Sequence, residues 1–221
     1  MIQLTRRGVV FNGTQEDLDS LRKKYDCDNY VVLPRVYEPA LFENIMCRVE
    51  AAQFSPREHG KDGKVGHEFC MADLVTTAML EFLASNPAFL RIIEHITGQP
   101  RIGEFEGRVY RLTDSARHAF DWHNDAAGGR VVSMSVNLSP QIYDGGTLQL
   151  NRCDSEEILQ EIRNTGLGDA VLFRISKDLV HRVLGVRGDI PKTAFAGWFL
   201  EGEDFLPRVS RMPKALSSHA G

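Results

Sequence analysis

The stretch Asp121-Trp122-His123-Asn124-Asp125, followed by Arg130-Val131-Val132-Ser133-Met134-Ser135-Val136-Asn137-Leu138, decides how this chain is read. From Val132 onward apolar and polar residues alternate, the period of a strand with one wet and one dry face. Residues two apart in an extended segment point the same way. The imidazole of His123 and the carboxylate of Asp125 can therefore grip one face of a single metal ion. A lone His181 further along offers a third donor. A His-x-Asp pair by itself is more often a hydrogen-bonded surface pair than a ligand pair, so its neighbours carry the decision.

Upstream, Gly107-Arg108-Val109-Tyr110-Arg111-Leu112 has a short strand pattern. Downstream, Asp144-Gly145-Gly146 turns into Thr147-Leu148-Gln149-Leu150, and Gly168-Asp169 leads into Ala170-Val171-Leu172-Phe173. His181-Arg182-Val183 follows, and Lys192-Thr193-Ala194-Phe195-Ala196-Gly197-Trp198-Phe199 is a last strand. Two histidines and one carboxylate on one face leave coordination positions open, the donor set associated with non-haem Fe(II).

These elements, in this order, resemble the Fe(II)/2-oxoglutarate-dependent oxygenases, and among them the prolyl-4-hydroxylase-like branch. That pattern runs His-x-Asp, a strand ending in a Leu-Asn-like pair, Gly-Gly-x-Leu, Gly-x-x-x-x-Phe, His-x-Val, and Arg or Lys about ten residues on with Trp-Phe behind it. The resemblance implies a mainly β fold with N-terminal helices (α+β), a double-stranded β-helix or jelly roll. It implies Fe(II) at His123, Asp125 and His181, with 2-oxoglutarate as cosubstrate, O2 as oxidant and ascorbate as a candidate reductant. Lys192 is the candidate anchor for the distal carboxylate of 2-oxoglutarate, with Tyr110 and Asn137 as further cosubstrate contacts. Two departures stand out. Lys192 occupies the place of the family's usual Arg, exchanging a bidentate fork for a point charge, and the insert Thr113 to Asp121 separates Tyr110 from the ligands. If Lys192 is instead a surface lysine, Arg182 and Arg187 are the next candidates.

The implied reaction is oxidative decarboxylation of 2-oxoglutarate to succinate and CO2, coupled to hydroxylation of a C–H bond. An amino acid, peptide or other small metabolite is the leading substrate class, since no substrate-binding module is attached. A protein residue of the prolyl type is the alternative, and a catalytically silent jelly-roll binding module the third. Trp122, Arg117, Arg130, Ser133, Ser135 and His67 are candidate substrate contacts, each weighed against a structural or merely solvated role.

At 221 residues the chain reads as one domain, large enough to bury roughly 70% of its unfolded surface. Residues 1–100 read as helical support and lid, 101–205 as the jelly-roll core and 206–221 as a flexible tail. Thr14 with Asp17 reads as a capping box, Tyr30 to Leu33 as a short buried strand, and Pro39 as the first turn of a helix with apolar residues at helical spacing. Two more helices are expected over Met71 to Leu83 and after Asn86-Pro87. Between the Pro39 helix and the Met71 helix, Ser55 to His67, with three glycines and no periodicity, reads as a mobile loop, either a substrate cover or a plain connection. Cys27, Cys47, Cys70 and Cys153 lack Cys-x-x-Cys spacing, which suggests reduced thiols. With no membrane-length apolar stretch, the expectation is a cytoplasmic protein. A net charge of −4 without a basic block argues against nucleic acid as the main partner. The sequence assigns no oligomeric state.

Overall fold

The computed structural model describes residues 1–61, 64–115 and 120–202, with the side chains of 59–66 outside that description. Strands β1 (Ile2–Thr5) and β2 (Gly8–Phe11) form a hairpin, followed by α1 (Gln15–Asp28), β3 (Tyr30–Leu33) and α2 (Pro39–Ala51). Strands β4 (Phe54–Lys61) and β5 (Lys64–Met71) form a second hairpin before α3 (Leu74–Ala84) and α4 (Pro87–Thr97). Strands then dominate: β6 (Ile102–Leu112), β7 (Phe120–His123), β8 (Arg130–Asn137), β9 (Asp144–Gly145), β10 (Leu148–Arg152) and β11 (Ile158–Ile162). The series ends with β12 (Ala170–Arg174), β13 (Leu179–Val183), β14 (Val186–Arg187) and β15 (Lys192–Glu201).

Local chemistry explains the helix ends. Thr14 and Asp17 close a reciprocal capping box on α1, and Asn29 ends that helix in the left-handed conformation. Asn86 accepts from the Ala88 N–H ahead of Pro87, and Gly98 ends α4 at φ 71°.

Eleven of the strands make two facing sheets, the double-stranded β-helix expected from the sequence, while β1 with β2 and β9 with β14 form two separate pairs. The larger sheet runs β3-β12-β8-β15-β6-β5-β4 and the smaller β11-β10-β13-β7. In β8, Val132, Met134 and Val136 join the core beneath the helices, while Ser133 and Ser135 face the space between the sheets. β15 divides the same way. Phe195 and Phe199 pack with Phe105 and Phe89 under the helices, leaving Lys192, Ala196 and Trp198 on the opposite face. Each fully buried phenylalanine there is worth about 1.5–3 kcal/mol of apolar burial. Between the sheets, Leu148, Leu150, Ile162, Val171 and Phe173 form one apolar plug, and Leu112, Tyr143, Val186 and Ala194 pack around Tyr110 in a second.

The segment expected to be a mobile loop is strand. β4 and β5 pair from Phe54↔Met71 to Lys61↔Lys64, and β5 joins β6 through Phe69↔Arg111 and Cys70↔Tyr110. Its position explains the misreading. β4 is the edge of the sheet, where a proline such as Pro56 costs no ladder bond on its free side and apolar alternation is not enforced. The boundary residues 62–63 lie outside the description, as does the tail expected over 206–221. Among the described residues, all four cysteines are free thiols, and no helix is long and apolar enough to cross a membrane.

Candidate metal centre

β7 and β13 are neighbours in the small sheet, and His123 is the register partner of His181. Their rings lie 4.2 Å apart between centroids. Asp125, just past the end of β7, reaches back so that its Oδ2 is 3.4 Å from His181 Nε2 and its Oδ1 is 4.0 Å from His123 Nε2. One ligand atom from each of the three residues lies within 4.8 Å of the others. The three residues named from the sequence thus converge.

The groups around His123 and Asp125 favour a ligating form of each. His123 Nδ1 lies 2.7 Å from the Asp121 carbonyl, which accepts its proton and leaves Nε2 with a free lone pair. Burial, reinforced by the neighbouring His181, lowers the His123 imidazole below its ordinary range, favouring the neutral ring that a metal needs. For Asp125, burial pushes the carboxyl up, but the hydrogen bond and charge of His181, with His123 and the Trp198 N–H, outweigh it and hold the group well below the usual carboxylate range. Trp198 Nε1 donates to Asp125 Oδ2 at 2.7 Å, and the Arg130 guanidinium lies 3.5 Å from Oδ1. An ionised carboxylate and two imidazoles clustered at a cavity wall fit a divalent cation.

The cavity has a volume of about 740 Å³. Small side chains create it, since Ser133, Ser135 and Ala196 line its floor where larger residues would fill the barrel. Lys192 lies on the same strand face as Trp198, roughly 20 Å away along β15 at the ordinary rise per residue. Its ammonium is buried and donates to the Gly146 carbonyl at 2.7 Å, and no carboxylate pairs with it among the described residues. Gly146 is required there. Its φ is 60°, and a Cβ would stand 2.9 Å from Lys192 Cδ. Burial alone lowers Lys192 to about 8. A buried cation at the cavity wall, with no counter-ion among the described residues, suits an anionic ligand group. Tyr110 lines the same cavity, its phenol hydrogen-bonded to Ser135 and pushed up in pKa by burial.

The remaining sequence candidates divide. Arg130, Ser133 and Ser135 line the cavity. Trp122 reaches its rim, where Arg182 stacks on the indole at 4.5 Å and also donates to Gln149. Asn137, expected at the cosubstrate, does not line the cavity. Its amide nitrogen donates to the Thr165 and Gly166 carbonyls, and its oxygen accepts from Ser139 N–H, so it clasps a loop. His67 is also corrected. It sits on the hairpin 3.4 Å from its cross-strand partner Glu58, away from the cavity. Arg117 lies outside the described residues.

Two cavity residues were missed. Arg108 shares a strand face with Tyr110, the spacing that could have revealed it, and pairs bidentately with Glu68 at 2.5 and 3.0 Å. Arg57, on the stretch read as a loop, lies 3.7 Å from the same carboxylate. Glu68 has no exposed side-chain surface. Glu68→Ala is therefore expected to destabilise the fold by about 3–5 kcal/mol, because it strands a largely buried guanidinium. Denaturant unfolding measures this, and a loss below about 1 kcal/mol would show the pair to be dispensable.

Residues 107–200 match the family model described as the 2OG-Fe(II) oxygenase superfamily, and the fold is similar to that of solved members of that family. No curated protein matches the chain. Among solved structures, an oxidoreductase of the 2OG-Fe(II) oxygenase family from Burkholderia pseudomallei is similar with a TM-score of 0.62 at 16% identity, covering 92% of this chain and 99% of its own. A Pseudomonas putida prolyl-4-hydroxylase follows at TM-score 0.59 and 18% identity, covering 83% and 99%. The epimerase SnoN, solved with Fe3+, alpha ketoglutarate and nogalamycin RO, has a TM-score of 0.58 at 16% identity and covers 94% of each chain. Proteins of this family use Fe(II), 2-oxoglutarate and O2.

Proposed function

We propose that this protein is an Fe(II)/2-oxoglutarate-dependent dioxygenase that hydroxylates a C–H bond of an amino acid, peptide or other small metabolite. The observation that carries the proposal is one cavity holding both the His123-Asp125-His181 cluster and the unpaired buried ammonium of Lys192. When bound, iron and 2-oxoglutarate supply the oxidising chemistry, with 2-oxoglutarate ending as succinate and CO2. The chain supplies placement. His123, Asp125 and His181 hold the metal, and Asp121 and Trp198 fix the orientation of two of those ligands. Lys192 receives the distal carboxylate of 2-oxoglutarate, with Tyr110 beside it. Phe120, Phe173 and Leu148 form apolar wall that limits water at the centre.

A protein substrate is the second reading, supported by a further cavity of about 610 Å³ that continues outward from the first and could receive an extended chain. The similar structures include a prolyl-4-hydroxylase and an epimerase, so the reaction is tested directly. Anaerobic addition of Fe(II) and then 2-oxoglutarate should produce a visible charge-transfer band. Mass spectrometry across metabolite and peptide pools should then show products gaining one oxygen atom with matching succinate. Without the band the proposal fails at the cofactor, and a product with no added oxygen excludes hydroxylation.

Lys192 also predicts a pH dependence. In the ligand-free protein its ammonium loses its proton near pH 8, whereas a bound carboxylate favours the charged form. Above that pH, binding must take up a proton, so 2-oxoglutarate affinity should weaken by up to about tenfold per pH unit. Anaerobic titrations at pH 7 and pH 9 check it. Equal affinities would remove Lys192 from the binding site.

A further inference from the structure

The inner cavity with the metal cluster and the outer cavity share four lining residues: Arg57, Arg108, Arg130 and Trp198. The passage between the two is therefore framed by three guanidiniums and one indole. Arg130 stacks on Trp198 at 3.6 Å and Arg108 approaches the same ring at 5.8 Å. Arg57 and Arg108 both lean on the single carboxylate of Glu68. Among the described residues Arg130 pairs with one acid, Asp125. The three guanidiniums thus share two carboxylates as ion-pair partners, and one of those carboxylates belongs to the proposed metal centre. With Asp125 neutralised by a divalent ion, the surplus at the passage rises.

Glu81, Glu104 and Glu106 line the outer cavity, so an anion is favoured on the inner side. There the other acid in the lining, Asp121, turns its carboxylate to its own neighbour's N–H. The low-dielectric indole of Trp198 beside these guanidiniums strengthens their positive field. Planar guanidinium forks match the oxygen pairs of a carboxylate or phosphate.

We infer that the arginine-framed passage is a specificity subsite for an oxyanion, carboxylate or phosphate, carried by the primary substrate. The inference rests on the oxygenase reading for its meaning, though not for its measurement. Lys192, some distance away along β15, serves the cosubstrate, and the passage arginines serve the substrate. Stacking on Trp198 holds the Arg130 head in place, an order that a free surface arginine lacks.

Trp122→Phe leaves Trp198 as the sole tryptophan and turns the passage into its own fluorescent reporter. Phenylacetate, phenyl phosphate and the neutral phenylacetamide are titrated into this variant as the anaerobic Fe(II)·2-oxoglutarate complex. A parallel titration uses metal-free protein carrying Lys192→Met, so that the cosubstrate anchor cannot report. At least one of the two anions should perturb Trp198 saturably, and the amide should bind at least about tenfold more weakly. Whichever anion binds tighter names the source. Arg57→Gln, at a half-exposed position that touches no metal ligand, should weaken anion binding about tenfold without changing the absorbance of the Fe(II)·2-oxoglutarate complex. Equal binding of amide and anion, or no effect of Arg57→Gln, overturns the subsite. Absence of the charge-transfer band with the anion response intact would instead overturn the oxygenase reading and leave the subsite standing.

Discussion

Alanine at His123, Asp125 or His181 is expected to abolish 2-oxoglutarate turnover while far-UV circular dichroism stays near wild type. Each contributes one donor to a cluster whose ligand atoms lie within 4.8 Å, and a facial site missing a donor cannot hold iron well. Loss of a residue that only orients a ligand typically costs about 10–100-fold. Removing a ligand should therefore exceed about 100-fold, and Trp198→Phe, which removes the N–H bonded to Asp125 together with part of the ring on which Arg130 stacks, should fall within the smaller range. Folding should survive because the apolar plug is built from Leu148, Leu150, Ile162, Val171 and Phe173, with His181 outside it and meeting it at the Phe173 ring. Succinate production at wild-type rates in two of the three alanine variants would sink the assignment.

The jelly roll is legible in this sequence because its central strands obey two constraints at once. Val132, Met134 and Val136 must bury against helices, and Ser133 and Ser135 must leave a cavity open, so the period of two is enforced on both faces. The ligands are legible for a related reason. His123 and Asp125 stand close together in the chain, and His181 follows its own short strand signal, so a local pattern captures most of a long-range cluster. What escapes is set by contacts distant in sequence. Arg57 gains its place from a hairpin docked on β6, and Glu68 is buried only because Arg108, forty residues on, meets it. Asn137 shows the reverse error. It has the strand parity of Ser133 and Ser135, but its amide is bound by the loop at Thr165 and Gly166, which parity cannot foresee.

Lys192→Met should change two properties in opposite directions. A buried carboxylate deprived of its cation costs about 3–5 kcal/mol, so 2-oxoglutarate affinity should drop by roughly two to three and a half decades. Metal binding should persist, because Lys192 touches the Gly146 carbonyl and approaches the Tyr143 ring rather than any ligand. The ligand-free protein should meanwhile gain stability. Below about pH 8 the ammonium is charged in both folded and unfolded chains, and burying it without a counter-ion is a net cost. Between about 8 and the ordinary value of 10.5 the folded lysine gives up its proton first. The unfolded chain then binds more protons, and wild-type stability rises with pH across that window. The advantage of the methionine variant should thus be greatest below pH 8 and shrink toward 10.5. Lys192→Arg should retain more affinity, limited by fitting a larger planar head beside Gly146. Thermal melts across pH, paired with anaerobic cosubstrate titrations, read both properties. A methionine variant that binds 2-oxoglutarate within threefold of wild type would move the anchor elsewhere, and one that melts lower at pH 7 would show that this lysine's stem packing outweighs its buried charge.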